Sequence, residues 1–410
     1  MRRCFSLHRL LPVILALGLL AACGTPEPTQ MPSPSPDVAA TDAVATATAA
    51  ALLEAVRPTL PPTWTPVSPG EAAEQPSAVV TQEPGPAAAS ALDRLVFAAD
   101  GQLWAVGVDG SGLMALTEPV NARDLAVSPD GQYIAFVADA AGGGRDVFAV
   151  ETATNTILQA SALGLADVVD PAWHPNLPVI VFAAGPQGGG RDLYTVQPNG
   201  LNLERRTQLD QPGLSDPAFS PDGLMLVFAA PGVTLLDLAT GTVTPYTQPG
   251  QDHDLQPRFR PGGTEIIYIR QIPSATGYGG GRLHSFDPAT FQPVAVPPIL
   301  IDFFAQAFAF SQDGDLIVFS SDFSVYLFDF TTRSTRQVGD AGSLLTRFAL
   351  SPDGTRVAYL AGGRSATTGQ PVSEEGQALL IVTDRAGRDQ QTVLTVTAQT
   401  VTDLVWVGGG

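Results

Sequence analysis

One short unit recurs along this chain, and its recurrence limits the fold more than any other feature. At Asp216 to Phe228 the sequence reads Asp-Pro-Ala-Phe-Ser-Pro-Asp-Gly-Leu-Met-Leu-Val-Phe. Ala218 and Phe219 end one short strand, and Pro221, Asp222 and Gly223 reverse the chain. Leu224 to Phe228 is an apolar run of strand length. Proline presets φ and glycine tolerates φ > 0, the two requirements of a tight reversal. Variants are Ser128-Pro129-Asp130-Gly131, His174-Pro175-Asn176, Arg260-Pro261-Gly262-Gly263, Ser311-Gln312-Asp313-Gly314 and Ser351-Pro352-Asp353-Gly354. A period of roughly 40 to 50 residues with several strands per unit predicts a β-propeller.

Each unit continues alike. A second strand is followed by a loop, a third strand such as Asp146 to Val150 or Asp192 to Val196, a polar turn and a weak fourth strand. The ends are incomplete in complementary ways. Arg94 to Thr117 supplies the second, third and fourth strands of a unit, and Asp403-Leu404-Val405-Trp406-Val407 supplies a first strand with nothing after it. Pairing the two fragments completes one blade and removes two exposed sheet edges. Six complete units plus this composite predict an all-β, seven-bladed propeller over residues 91–410, with six blades as the second choice. Trp173, Phe219, Phe259, Phe310 and Trp406, at the inward first-strand position, are expected in the cores between blades.

The segments before the propeller have other textures. Arg2, Arg3 and Arg9 precede an apolar run from Leu10 to Leu20, too short to span a bilayer as a stable helix, and Leu20-Ala21-Ala22-Cys23 follows. This arrangement resembles the lipobox of bacterial lipoproteins. The resemblance implies a signal peptide over residues 1–22 and lipid attachment at Cys23. Two or three acyl chains anchor stably where one does not. The other cysteine, Cys4, lies in the leader, so an exported chain forms no disulfide. Residues 23–90 are rich in Pro, Thr and Ala and predict a disordered tether, with a short helix over 41–56 where Pro and Gly are absent.

The repeat resembles that of TolB-type propellers, whose units open D-P-x-W/F-S-P-D-G. Asp216-Pro217-Ala218-Phe219 and Asp170-Pro171-Ala172-Trp173 match closely, and Asp124-Leu125-Ala126-Val127 matches less well. The resemblance covers roughly residues 94 to 407. It implies the fold and leaves the activity open, because one fold hosts many functions. TolB itself has six blades and an amino-terminal α/β domain, where this chain has a tether.

Strand parity sorts the connections into two faces. Turns between first and second strands, and between third and fourth, share one face. Loops between second and third strands, and the links between blades, share the other. The second face receives the irregular segments, including Gly142-Gly143-Gly144-Arg145, Gly188-Gly189-Gly190-Arg191, Gln271 to Arg282 and Ala361 to Gln377. Irregular loops on a rigid scaffold are where binding concentrates. Arg145, Arg191, His253, Tyr278 and Arg282 are therefore the candidate partner-contacting residues. The Gly-Gly-Gly-Arg loops read as flexible with solvated arginines, and Asp252-His253-Asp254 reads as an exposed loop.

Asp124, Asp170, Asp216 and Asp403 open first strands of four consecutive blades, at the mouth of the central channel. They are the candidate site for a cation such as Ca²⁺. The competing structural reading gives each carboxylate backbone N–H bonds in its own turn.

The chain carries 40 acidic residues against 21 basic ones, a net charge of −19, and every basic residue is Arg. That balance excludes a nucleic-acid partner, whose phosphates require a basic surface. The chain contains no Gly-x-Ser-x-Gly elbow and no His-Glu-x-x-His zinc motif. The expected function is therefore non-catalytic. A monomeric, extracytoplasmic envelope lipoprotein, touching membrane only through its lipid and needing no cofactor, binds a protein or peptide at the irregular face. The alternative is a carbohydrate-active or calcium-binding enzyme that uses the mouth carboxylates.

Overall fold

A computed structural model describes residues 79–81 and 93–408, with breaks at 249–252, 272, 275–276, 279–280, 291, 294–303, 343–346, 364–367, 369, 375 and 398–400. The leader, Cys23 and the expected helix over 41–56 lie outside the described residues. Among those described, the strands form seven antiparallel blades, as the repeat predicts. The described residues contain no helix long and apolar enough to cross a membrane.

The first blade is the composite. Val401–Val407 pairs with Arg94–Ala99, which pairs in turn with Gln102–Gly107 and Met114–Ala115. Its register sets Arg94 opposite Val407 and Phe97 opposite Leu404. The other six blades each use four strands in chain order, interrupted only in the fifth by a small hairpin, Pro273–Ser274 with Gly277–Tyr278. Their first strands are Arg123–Val127, Asp167–Trp173, Ser215–Phe219, His253–Phe259, Ala305–Phe310 and Phe348–Leu350.

The second strands form the hub of the packing. Each carries one buried aromatic at the same place in the repeat, namely Phe97, Phe136, Phe182, Phe228, Tyr268, Phe319 and Tyr359. A side chain of this size contributes about 2–3 kcal/mol when withdrawn from water. Alternate residues of one second strand serve opposite neighbours. Val96 and Ala98 pack with Ile134 and Phe136 of the second blade. Leu95 and Phe97 pack with Leu360 and Leu380 of the seventh. Seven such clusters, one between each pair of neighbouring blades, close the ring. Trp173 and Trp406 are buried in them, while Phe219, Phe259 and Phe310 are partly buried against them, in line with the expected placement.

The Ser-Pro-Asp-Gly turns are held by a repeated side-chain pattern. Ser128 Oγ donates to Asp130 Oδ1 at 2.6 Å and accepts the Tyr133 amide at 2.9 Å, while Asp130 Oδ1 accepts the Gln132 amide at 3.0 Å. The same bonds recur at Ser220, Ser311 and Ser351. The serine hydroxyl, followed by the adjacent backbone amide, holds the Asp222 and Asp313 carboxyls below their ordinary range.

One strand falls outside the expected domain plan. Val79–Thr81, placed in a disordered tether by composition, pairs antiparallel with Gln391–Thr397 as a fifth strand on the outer edge of the seventh blade. An unpaired sheet edge offers backbone donors and acceptors to any extended segment, and composition does not register that opportunity.

Candidate functional site: the channel mouth and the loop face

Three of the four mouth aspartates sit in β-bulges rather than in turns, while Asp403 pairs with Ala98 in its ladder, next to a bulge at Thr402. Ladder registers shift between Arg123 and Ala126, between Ser215 and Ala218, and opposite Val169 to Ala172. Asp124, Asp170 and Asp216 each adopt φ of 54° there, and Gln256 adopts 50° in the fifth blade. Aspartate tolerates this left-handed conformation better than most residues. A bulge also accommodates the proline at 171 or 217, which cannot donate to a ladder.

Each carboxylate reaches across to the next blade. The Asp124 amide donates to Asp403 Oδ2 at 3.2 Å, and the Asp170 amide donates to Asp124 Oδ2 at 3.4 Å. The Asp216 amide donates to Asp170 Oδ2 at 3.0 Å, and the Gln256 amide donates to Asp216 Oδ2 at 3.3 Å. Five blades are thus joined by one relay of carboxylate-to-amide bonds. The structural reading holds in kind, but the amide served belongs to the neighbouring blade rather than to the local turn. The relay ends where Ala307 and Arg347 occupy the equivalent positions. Arg347 Nε instead donates to the Thr402 carbonyl.

The arc is electrostatically strained. Burial, reinforced by the Asp216 and Asp124 carboxylates, pushes the Asp170 carboxyl up to about 7. The Asp216 amide and the Arg258 guanidinium oppose that rise. Burial and then Asp403 also raise Asp124, and Arg123, with Nε 3.6 Å from its Oδ2, counters in part. Among the described residues, no three His, Cys, Asp or Glu side chains come together closely enough to hold a metal ion.

The candidate arginines of the loop face are less free than their glycine-rich loops suggest. Arg191 forms a two-pronged ion pair with Asp167, Nε to Oδ2 at 2.7 Å and Nη2 to Oδ1 at 3.1 Å, and donates to the Leu214 carbonyl at 2.9 Å. It fastens the third blade to the link beyond it, which corrects the expectation of a solvated side chain. Arg145 stands 3.6 Å from Asp139, and its backbone bridges Leu165. Both arginines border the loop face, where Asp139, Gly144, Arg145, Asp167 and Gln187 line a polar cleft of about 560 Å³ between the second and third blades.

The expectation of an exposed loop also fails at His253 and Asp254, while Asp252 lies outside the described residues. His253–Phe259 is a strand, and Asp254 is fully buried. Asp254 accepts two bonds from Arg270, at 2.7 and 2.8 Å, and one from the Thr247 hydroxyl. A buried charge needs a partner that sequence proximity does not reveal. His253 is half-buried in the first pair of that strand's ladder, opposite Gln271. Tyr278 lies in a two-residue strand, Gly277–Tyr278, paired with Pro273–Ser274.

Arg282 does stand on the exposed loop face, and the structure adds two residues that the motif reading missed, Phe304 beside it and Phe323 on the same face. Phe304 enters the sixth blade and Phe323 occupies its second-to-third-strand turn at φ 65°; they are 49% and 43% exposed. The Arg282 guanidinium lies 5.6 Å from the Phe304 ring centroid. No sequence signal separates these two phenylalanines from the buried ones, because exposure depends on which side of the ring a connection falls. The turn face has exposed apolar residues of its own, Leu177, Leu201 and Leu224, and these are aliphatic.

No protein-family model matches the chain, and no curated protein matches it. Solved structures do. TolB from Acinetobacter baumannii shares 17% identity over 77% of this chain and 66% of its own, just under two thirds of its length, with a TM-score of 0.46. An oligogalacturonate lyase in complex with manganese shares 14% identity over 73% of this chain and 83% of its own, with a TM-score of 0.50. A puromycin hydrolase mutant complexed with PGG shares 18% over 64% and 47%, at 0.43. The fold is a seven-bladed β-propeller, an architecture close to that of the lyase. At such identities the likeness extends to architecture, and these proteins differ among themselves in what they do.

Proposed function

We propose that the chain is a non-catalytic lipoprotein of a bacterial cell envelope, lipidated at Cys23 after loss of residues 1–22. The segment from 23 toward the propeller acts as its tether, and the propeller binds a protein or peptide at the loop face. The observation that carries this reading is the arginine with two exposed phenylalanines, Arg282, Phe304 and Phe323, on that face. Aromatic and arginine side chains supply most of the energy in interfaces, and an exposed phenylalanine carries a standing cost in water that docking relieves. The mouth carboxylates support the same reading from the other side, since each already bonds a backbone amide of the next blade.

A photo-crosslinking residue at Phe323 in the full chain, in intact cells, tests the proposal against the same residue at Leu224 on the turn face. A discrete protein adduct from position 323, weakened when Arg282 and Phe304 are both changed to Ala, supports it. Adducts from position 224 alone, or from neither, overturn it.

One observation favours a second reading, an enzyme acting on a glycan. A carboxyl group raised to about 7, as that of Asp170 is, keeps part of its population protonated at neutral pH and is suited to general acid catalysis. The matched lyase crystallised with manganese makes acidic oligosaccharides and divalent ions the natural first screen. Turnover abolished by Asp170→Asn in a correctly folded protein would favour this reading over binding alone.

A further inference from the structure

The outer strands of the seven blades differ sharply in what they expose. Among the described residues three are two residues long, Met114–Ala115, Glu204–Arg205 and Gln292–Pro293, and one, Val243–Pro245, ends in proline. Thr156–Gln159 has four residues. Short edges and proline limit pairing with another chain. Two outer strands reach seven residues. Ser334–Asp340 carries Arg336 and Asp340 and is broken by a bulge beside Tyr326. Gln391–Thr397, Gln-Thr-Val-Leu-Thr-Val-Thr, has no charge and no proline, and its own bulge at Val393 lies short of the 395–397 stretch. Such a segment is the kind that adds strands from other chains. It is also the outer strand on which Val79–Thr81 lies, with Val79 opposite Thr397, Val80 opposite Val396 and Thr81 opposite Thr395.

We propose that Val79–Thr81 is an edge guard, and that the surface it covers pairs with the same strand of a second copy of this chain when uncovered. An antiparallel strand facing its own copy is self-complementary about a two-fold axis, so one edge suffices to make a dimer. The guard prevails because it is tethered. Residues 82–92 join it to Arg94 in the next blade, which holds it at an effective concentration of order millimolar. Free copies of an envelope protein rarely match that concentration. Three ladder pairs are a weak hold by themselves, so the guard opens locally without unfolding the blade.

The test uses the full chain in detergent micelles, with hydrogen exchange and detergent-corrected light scattering. Val79, Val80 and Thr81 are all changed to Pro, which removes their backbone donors. The expected result is several-fold faster exchange at residues 395–397 and a shift from monomer to dimer at micromolar concentration. Adding Thr397→Arg, at an exposed position of the same edge, should restore the monomer while exchange stays fast. Unchanged exchange in the triple variant, or fast exchange without dimers, overturns the proposal. Dimers that persist after Thr397→Arg assign the contact to another surface and overturn it equally.

Discussion

Asp170 and Gly223 show how far a single residue's role depends on the neighbouring blade. The Asp170 carboxyl is raised from 3.8 to about 7. A carboxyl with a raised folded pKa favours the folded state when protonated. Its contribution is complete below about pH 4 and is lost as the pH rises through 7. Asp170→Asn keeps an acceptor for the Asp216 amide and removes the charge. The variant should match the wild type near pH 4 and exceed it by about 1–2 kcal/mol at pH 8, discounted for the solvent that reaches the mouth. Thermal unfolding of both proteins across that range checks this. Gly223 has φ of 76°, and a Cβ there would meet His174 Nε2 of the preceding blade at 2.2 Å. Gly213 has φ of 77° and open space around it. Gly213→Ala should cost about 1 kcal/mol from backbone strain alone, and Gly223→Ala about 2–4 kcal/mol, because strain and overlap combine. Chemical denaturation of the pair separates the two costs. The motif itself shows the need for glycine in the turn; that His174 also demands one is visible only once the blades stand side by side.

At the scale of strands and turns, paired charges carry very different weights. Asp254 is fully buried against Arg270, and Asp254→Ala should cost about 3–5 kcal/mol by removing the buried carboxylate to which Arg270 and the Thr247 hydroxyl both donate. Asp139 faces solvent with Arg145 at 3.6 Å, and Asp139→Ala should change stability by less than about 0.5 kcal/mol. Urea denaturation with a common m value tests that contrast. The elements themselves were largely legible in the sequence. The third strand predicted at Asp192 to Val196 is observed with those bounds, and the one at Asp146 to Val150 is one residue longer at each end. Period-2 burial and turn residues are local properties, so local reasoning finds them. The first strands were harder. The third blade's begins at Asp167 and the fifth's at His253, earlier than the motif suggests. A bulge lets polar residues continue a ladder past the point where alternation breaks. The candidate site suffered most, since Arg191, Asp254 and Phe304 owe their states to partners or exposures far from them in sequence.

For the whole molecule, closure is the controlling event. Val401–Val407 joins the last residues of the described ring to the first, and its Leu404 and Trp406 enter the cluster shared by the first and seventh blades. Removing residues 401–410 exposes the Arg94–Ala99 edge and opens that cluster. The truncated chain should melt at lower temperature and associate, as circular dichroism melting and light scattering would show. What the sequence alone determined is the repeat, the seven blades, the composite closure and the two faces, all of which follow from periodicity, turn chemistry and strand parity. Only the tertiary structure decided that four aspartates serve the neighbouring blade, that a loop arginine is a fastener, and that Val79–Thr81 covers a sheet edge. Those outcomes depend on contacts between residues distant in the chain, and strand periodicity carries no record of which distant groups will meet.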